Sequence, residues 1–350
     1  MTITLSDPVN ASLNKLKAKG YGLDAFDAAG ARGRWGRAVV KDPSDLSREI
    51  LYQRPSTKAK TLDDQSNLVD WKAGMAAMGV ALEPNLQFDL AKYHAEFVAR
   101  GGFEPTRDDK AWLKELTNEA ADLAGAAEGR DYGSLVHALL ECWSAGDDWR
   151  SYLADWDDAE FVAAAVEATI AEMADRGLEV VRTEIAVVNE EVQCAGSSDV
   201  LLKVGGEEVY RIGDYKTTRP TSLDFAWLGF GLQLGIYAGA DCIYDPETGH
   251  RESFPPGFDR DTAYIIHVRW RDCACDIYEL DLRPFRHALA LAQEVEEWRA
   301  TAKQYAIPAP RRSTVPKMDS MAHRRLRVAE LVDAGHKDLL MSRWPAGASI

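Results

Sequence analysis

The sequence has few cysteines, no long apolar run and no excess of positive charge. Its 350 residues include only 5 cysteines, and an odd, scattered set excludes a disulfide framework and favours a reducing compartment. The longest uncharged run, residues 225–240, is rich in glycine and too short to span a bilayer. The first twenty residues contain no apolar core long enough for a secretory signal. We therefore expect a soluble, cytoplasmic protein with no membrane segment.

The formal net charge of -15 argues against a protein that coats nucleic acid, because phosphate binding depends largely on lysine and arginine. The net charge does not exclude a nuclease, which needs only a local basic channel. Two basic clusters occur, one near each end of the chain: Arg32, Arg34, Arg37 and Lys41; and Arg311, Arg312, Lys317, Arg324, Arg325 and Arg327. Such clusters are common on protein surfaces, so each by itself is interpreted as a solvated patch rather than a DNA track.

The chain divides into three regions by its hydrophobic pattern. Residues 1–84 are irregular and rich in glycine and proline, with only short helical candidates such as Asn67 to Met78, which predicts an accessory region. Residues 85–307 have regular periodicity, and their length suits a single domain. Residues 308–350 begin with Pro308 and Pro310 and are expected to form a basic linker and a short helical tail.

The middle region predicts a mixed α/β core. Apolar residues at helical spacing, or alternating with polar ones as in strands, define its elements. Helices are expected within 85–127 (two), and at 132–143, 159–176, 223–240 and 284–305; strands are expected at 184–192, 197–204, 207–215, 262–270 and 274–282. The first three strands should form an antiparallel meander, with Gly205-Gly206 as a tight turn and Pro220 ending the third strand.

The third predicted strand contains Asp214-Tyr215-Lys216. Residues two apart in a strand project to the same face, so Asp214 and Lys216 should lie side by side. A carboxylate can ligate a hard metal ion, and a neighbouring ammonium can orient water or stabilise charge on a phosphate. A single D-x-K sequence is common by chance, however, and is more often a salt bridge.

Three neighbouring features strengthen this interpretation. Asp199 lies on the preceding strand, so the two aspartates should face each other across the hairpin. His137 follows a glycine by four residues on a predicted helix, and Gln233 and Tyr237 share one face of a later helix. Each feature alone is more simply explained by core packing.

Together, the motifs G-x-x-x-H, G-x-x-D, D-Y-K-T and Q-x-x-x-Y, in that order within residues 131–237, resemble the RecB-like nucleases of the PD-(D/E)XK superfamily, which include phage and bacterial exonucleases. The resemblance implies a restriction-endonuclease-like core. It also implies Mg²⁺ or Mn²⁺ held by His137, Asp199, Asp214 and the Tyr215 carbonyl. Lys216 would be the catalytic lysine.

The resemblance assigns further roles. Gln233 and Tyr237 are similar to the family's DNA-contacting residues, and Glu184 matches an acidic residue that supports the metal ligands without binding the ion. Some relatives hold an iron–sulfur cluster, but Cys273-x-Cys275 has no third cysteine after it, so no cluster is expected. One imidazole and two carboxylates would leave positions on the ion open for water and phosphate oxygens.

The resulting hypothesis is a phage-type DNA exonuclease, acting in recombination, replication or repair within a bacterial or phage-infected cell. It has DNA as its substrate and leaves room for a recombination partner protein. Three alternatives stay open: an endonuclease using the same residues, a non-catalytic DNA-binding or assembly module, and a nucleotide phosphohydrolase. The last lacks support because no G-K-S/T phosphate loop occurs.

Overall fold

A seven-stranded mixed sheet flanked by helices organises the protein. The computed structural model describes residues 7–102, 104–153, 158–217 and 223–306. Within these ranges the chain forms ten α-helices and nine strands. The mixed α/β class predicted from the sequence is confirmed.

Eight helices and a small hairpin precede the main sheet. In chain order they are α1 (Asp7–Lys17), α2 (Ala25–Ala28), β1 (Ala38–Asp42), β2 (Asp45–Tyr52), α3 (Pro55–Ala59), α4 (Ser66–Leu82), α5 (Pro84–Ala99), α6 (Arg107–Leu123), α7 (Glu128–Ser144) and α8 (Ala159–Asp175). The start of α6 is fixed by a capping box, in which Thr106 and Asp109 each accept a hydrogen bond from the other's main-chain N–H.

The main sheet and its last two helices follow. They are β3 (Leu178–Asn189), β4 (Cys194–Val204), β5 (Tyr210–Lys216), α9 (Trp227–Ala238), β6 (Cys242–Tyr244), β7 (Arg251–Glu252), β8 (Phe258–Arg269), β9 (Ala274–Asp281) and α10 (Arg283–Thr301). The strand order is β7-β6-β3-β4-β5-β8-β9. Only β5 and β8 pair in parallel among these neighbours.

The predicted meander is therefore present as β3, β4 and β5. Gly205 and Gly206 form the turn between the last two strands with φ of 61° and 73°, the left-handed region that glycine enters without steric cost. Strand β5 ends at Lys216, and Pro220 lies outside the described residues.

Alternate residues of the strands pack against different helices. Val200 and Leu202 of β4 contribute to the core that contains α7 and α8, whereas Leu201 contributes to the core that contains α9. This alternation follows from the pleat of a strand. The sheet thus has α7 and α8 on one face and α9 on the other.

Residues 1–84 contain more regular structure than their sequence pattern indicates, and the predicted helix from Asn67 to Met78 lies within α4. That region contains α1 to α4 and the β1–β2 hairpin. Val9, Leu13 and Leu16 of α1 pack into the core of α7 and α8, and the Gln53 main chain exchanges hydrogen bonds with Gln193 and Ala195 beside β4. The order of the short helices comes mostly from packing against other helices and the sheet rather than from local preference.

The chain divides into two units at residues 299 and 300, and residues 300–306 of the second unit are described. They comprise the end of α10 and a single 3₁₀ turn, Ala302–Tyr305. The predicted basic linker and helical tail at 308–350 lie outside the described residues. In the described part of the chain, no helix has both the length and the apolar character needed to cross a membrane.

Candidate active site

Strands β4 and β5 bring the two predicted aspartates together. Val200 pairs with Gly213 in the antiparallel register, so Asp199 and Asp214 occupy the next positions along the pair. The Asp199 Oδ2 accepts a hydrogen bond of 2.7 Å from the main-chain N–H of Tyr215. This bond locks the Asp199 carboxylate against the backbone between Asp214 and Lys216.

Asp214 and Lys216 form a buried ion pair. The Lys216 ammonium contacts Asp214 Oδ2, and the aspartate is only 2% exposed. Burial raises the pKa of the Asp214 carboxyl above its ordinary value, although the Lys216 charge opposes that shift. Burial would lower the pKa of Lys216, but the charges of Asp214 and Asp199 outweigh it and raise that pKa. The lysine is therefore held in its charged form.

His137 approaches Asp199 from α7. Its Nδ1 lies 3.5 Å from Asp199 Oδ2, and its ring meets the Tyr215 ring edge-on, with 5.6 Å between centroids. The imidazole belongs to the helix on one face of the sheet, whereas α9 covers the other. The His137 ring thus reaches from the α7 face of the sheet to the Asp199 carboxylate, at the point where β4 and β5 carry the two aspartates.

Helix α9 contributes Gln233 and Tyr237, which share one face as predicted. The Gln233 Nε2 donates to Asp214 Oδ1 and to the Tyr237 hydroxyl, both at 3.3 Å. Tyr237 is only 4% exposed and packs in the α9 core. Its ring is therefore enclosed by the core and has no exposed face on which a nucleobase could stack. A contact of either residue with DNA stays a prediction.

Two motif glycines make room for other parts of the site. A Cβ on Gly133 would lie 2.5 Å from Thr217 Oγ1, and a Cβ on Gly196 would lie 2.8 Å from Pro55 Cδ. Both distances are shorter than side-chain contacts allow. The glycines of G-x-x-x-H and G-x-x-D thus permit close approach of the D-Y-K-T segment and of α3.

Glu184 faces Asp199 from β3 with an unusual backbone. Its φ is 47°, which is strained for a non-glycine residue and redirects the side chain from its regular strand direction. Burial and the nearby charges of Asp199 and Glu141 raise the pKa of Glu184 far above its ordinary value. Glu141 itself accepts a hydrogen bond from the Gly22 main chain. Acidic groups are thus concentrated here beyond the two aspartates, and burial favours their protonated form.

A polar cavity of about 190 Å³ is lined by six of these side chains: Glu184, Asp199, Asp214, Lys216, Gln233 and Tyr237. Four residues of the N-terminal segment complete its wall: Asp24, Arg54, Pro55 and Ser56. Sequence reasoning missed them because no spacing relates them to the D-x-K strand. Arg54, Pro55 and Ser56 reach the cavity because the chain at Gln53 pairs beside Cys194 of β4.

No group of three or more His, Cys, Asp or Glu side chains in the described ranges is arranged to hold a metal ion. Two features account for this. The Lys216 ammonium contacts Asp214 at an oxygen that the predicted metal site would use, and His137 contacts Asp199 from the other side of the sheet. The donor types nonetheless fit a hard divalent ion, because the carboxylates of Asp199, Asp214 and Glu184 face one cavity. The ligand set stays a prediction.

A mixed sheet with D-x-K on one strand and an acidic partner on the adjacent strand is an arrangement suited to metal-assisted phosphodiester hydrolysis. Residues 110–240 match the family model described as the PD-(D/E)XK nuclease superfamily. The match runs from within α6 to just beyond α9 and includes Asp199, Asp214 and Lys216. It indicates metal-dependent nuclease activity, for which Mg²⁺ or Mn²⁺ is the typical ion and DNA the implied substrate. A search of curated proteins found no match.

Proposed function

We propose that this protein is a metal-dependent DNA exonuclease of the RecB-like, phage-type branch, acting in recombination, replication or repair. The observation that carries the proposal is a single polar cavity lined by Asp199, Asp214 and Lys216, within the residues that match the nuclease superfamily. The order of the four sequence motifs supports the branch. A small cavity bounded by the N-terminal segment supports a strand end, rather than continuous duplex, as the reacting part of DNA.

In this proposal one set of residues binds the metal ion, and Lys216 binds the phosphate. His137, Asp199, Asp214 and the Tyr215 carbonyl would hold Mg²⁺ or Mn²⁺, whose chemistry is to activate water and neutralise phosphate charge. Binding requires Lys216 to leave the Asp214 oxygen that it contacts. Its ammonium would then face the phosphate, where it stabilises charge on the non-bridging oxygens.

The remaining cavity residues position these groups. The Gln233 amide fixes Asp214 Oδ1, and the Tyr215 N–H fixes Asp199 Oδ2. Glu184 adds a further acidic group behind the ligands, and its raised pKa means that it takes up negative charge only when a cation balances that charge. We retain Gln233 and Tyr237 as proposed DNA contacts through their amide and hydroxyl groups, which line the cavity.

The test is digestion of end-labelled linear duplex, single-stranded and covalently closed circular DNA, with Mg²⁺ or with a chelator. We expect release of nucleotides from linear DNA only, and only with the metal. Lys216→Met and Asp214→Asn should each lower the rate by about 100-fold or more. Lys203→Met is the matched control, because it removes a β4 lysine that pairs with Glu208 outside the cavity.

Each outcome bears on a different part of the proposal. Cleavage of closed circles would replace the exonuclease with an endonuclease. DNA binding without any cleavage would favour the non-catalytic module. Near-normal activity of purified Lys216→Met would remove the active-site assignment altogether.

A further inference from the structure

The loop between α2 and β1 displays an exposed tryptophan between two arginines. Arg34, Trp35 and Arg37 form this basic tip. Two main-chain hydrogen bonds join the two ends of the loop: Val39 N donates to Ala31 O (3.0 Å), and Gly33 N donates to Arg37 O (2.9 Å). The tip is therefore an ordered turn whose side chains project from a fixed base.

Trp35 has a left-handed backbone conformation, which is unfavourable for a tryptophan. Its φ and ψ are 62° and 25°, and Gly36 next to it has a φ of 69°. Two successive left-handed residues are typical of turns that prefer Asn, Asp or Gly at the first position. A bulky aromatic there is unfavourable for the turn, and its ring is 74% exposed. Neither packing nor turn preference explains this residue.

The flanking arginines stack on the indole rather than pairing with acids. The guanidinium carbons of Arg34 and Arg37 lie 4.1 Å and 5.8 Å from the Trp35 ring centroid. Neither arginine has a carboxylate within ion-pair distance in the described residues, although the chain carries a net charge of -15. Exposed aromatic rings beside unneutralised arginines match the bases and phosphates of an unpaired nucleic acid strand.

The base of the tip is connected to the catalytic cavity. Arg32 forms ion pairs with Asp24 and Asp27, and Asp24 lines the cavity that contains Asp199 and Asp214. The tip thus begins at Arg34, two residues after Arg32, whose side chain contacts the cavity residue Asp24. The tip therefore lies on the side of the cavity that Asp24 borders.

We propose that the Arg34–Trp35–Arg37 tip is a binding site for single-stranded DNA, in which a base stacks on Trp35 and the arginines contact the adjacent phosphates. This inference rests on the proposed nuclease function and extends it to a second contact with the same substrate. The occupant is an unpaired strand, because bases within a duplex are already stacked on one another.

The test is the affinity for a labelled twelve-nucleotide oligothymidylate, and for a blunt duplex hairpin, by fluorescence anisotropy in a chelator so that no cleavage occurs. Trp35→Asn is the principal variant, because asparagine tolerates the left-handed backbone and should keep or raise the Tm. We expect it to weaken single-strand binding about tenfold and duplex binding less than twofold. Trp35→Phe should retain most of the affinity.

Matched controls separate stacking from general effects. Trp71→Asn makes the same exchange at an exposed tryptophan of α4 and should change affinity less than twofold. Arg34→Gln and Arg37→Gln should each reduce the slope of log affinity against log salt by about 0.7, the value for one contact with a single strand.

Several results would overturn the inference: no oligothymidylate binding by the native protein, an unchanged affinity of Trp35→Asn, or equal losses for single strand and duplex. The proposed function fails separately. If the protein binds the oligomer through Trp35 but cleaves no DNA in Mg²⁺, the binding site at the tip is supported and the nuclease function is refuted. If the protein is an active nuclease and Trp35→Asn binds the oligomer normally, only the binding site at the tip is refuted.

Discussion

Replacing Gly133 by alanine should test how α7 packs against the end of β5, the strand that carries Asp214 and Lys216. The added Cβ would lie 2.5 Å from Thr217 Oγ1 and 3.8 Å from Thr217 Cβ. The first distance is 0.9 Å short of the 3.4 Å at which ordinary contact begins. The conflict therefore involves one atom, the hydroxyl of the residue that follows Lys216.

The expected magnitude follows from two opposing effects. Alanine is preferred over glycine inside a helix by about 1 kcal/mol, whereas forcing extra volume into a packed site costs about 1–3 kcal/mol. Gly133→Ala should therefore lower the free energy of unfolding by about 0–2 kcal/mol. In a Thr217→Ala background the close contact is absent, so the same change should stabilise the protein by about 1 kcal/mol.

The assay is a double-mutant cycle, with urea unfolding and DNA cleavage measured for each variant. The coupling energy should be about 1–3 kcal/mol. Activity should fall about tenfold in Gly133→Ala, a loss of about 1.4 kcal/mol in transition-state stabilisation, and recover in the double variant, because displacement of Thr217 shifts Lys216. Gly129→Ala is the control on the same helix, since its Cβ would meet nothing within 4 Å. A coupling energy near zero would refute the proposed contact.

Two further predictions concern buried charge. Glu184→Gln should remove a pH-dependent loss of stability in metal-free buffer. Because the pKa of Glu184 is raised, the folded protein binds this proton more tightly than the unfolded chain, so native stability falls as pH rises above about 4.3. A stability profile against pH that runs parallel in the variant would contradict this. Lys58→Met should destabilise the protein by about 1–3 kcal/mol in urea unfolding, because Lys58 is 5% exposed and its Nζ lies 2.6 Å from Glu296 Oε2. This is below the cost of breaking a fully buried pair because Glu296 stays 29% exposed, and an unchanged unfolding midpoint would rule the contribution out.

Much of the fold could be predicted from local pattern. Helices α5 to α8, the β3–β5 meander and the β8–β9 pair follow from hydrophobic period and turn residues, because each is long enough for its pattern to repeat. The same locality explains why Asp214 and Lys216 were recognisable: two residues on one strand keep their relative direction in any fold. The order of the four motifs added the expectation that His137, Asp199, Gln233 and Tyr237 belong to the same site.

Tertiary structure decided what surrounds those residues. Whether Tyr237 could stack on a base depended on packing between α9 and the sheet, and the ring proved buried. Arg54 and Ser56 reach the cavity because the chain beside Gln53 pairs next to β4, a contact between residues 141 positions apart that no local pattern encodes. Asp24 reaches it because α2 packs on β4, where the Ala25 N–H donates to Ser197 Oγ. The exposed Trp35 likewise depends on a left-handed turn that sequence preference disfavours. Local sequence thus determined the elements and the reactive pair, whereas long-range packing, which depends on the shape of every neighbour at once, determined the walls of the site and the side chains left exposed beside it.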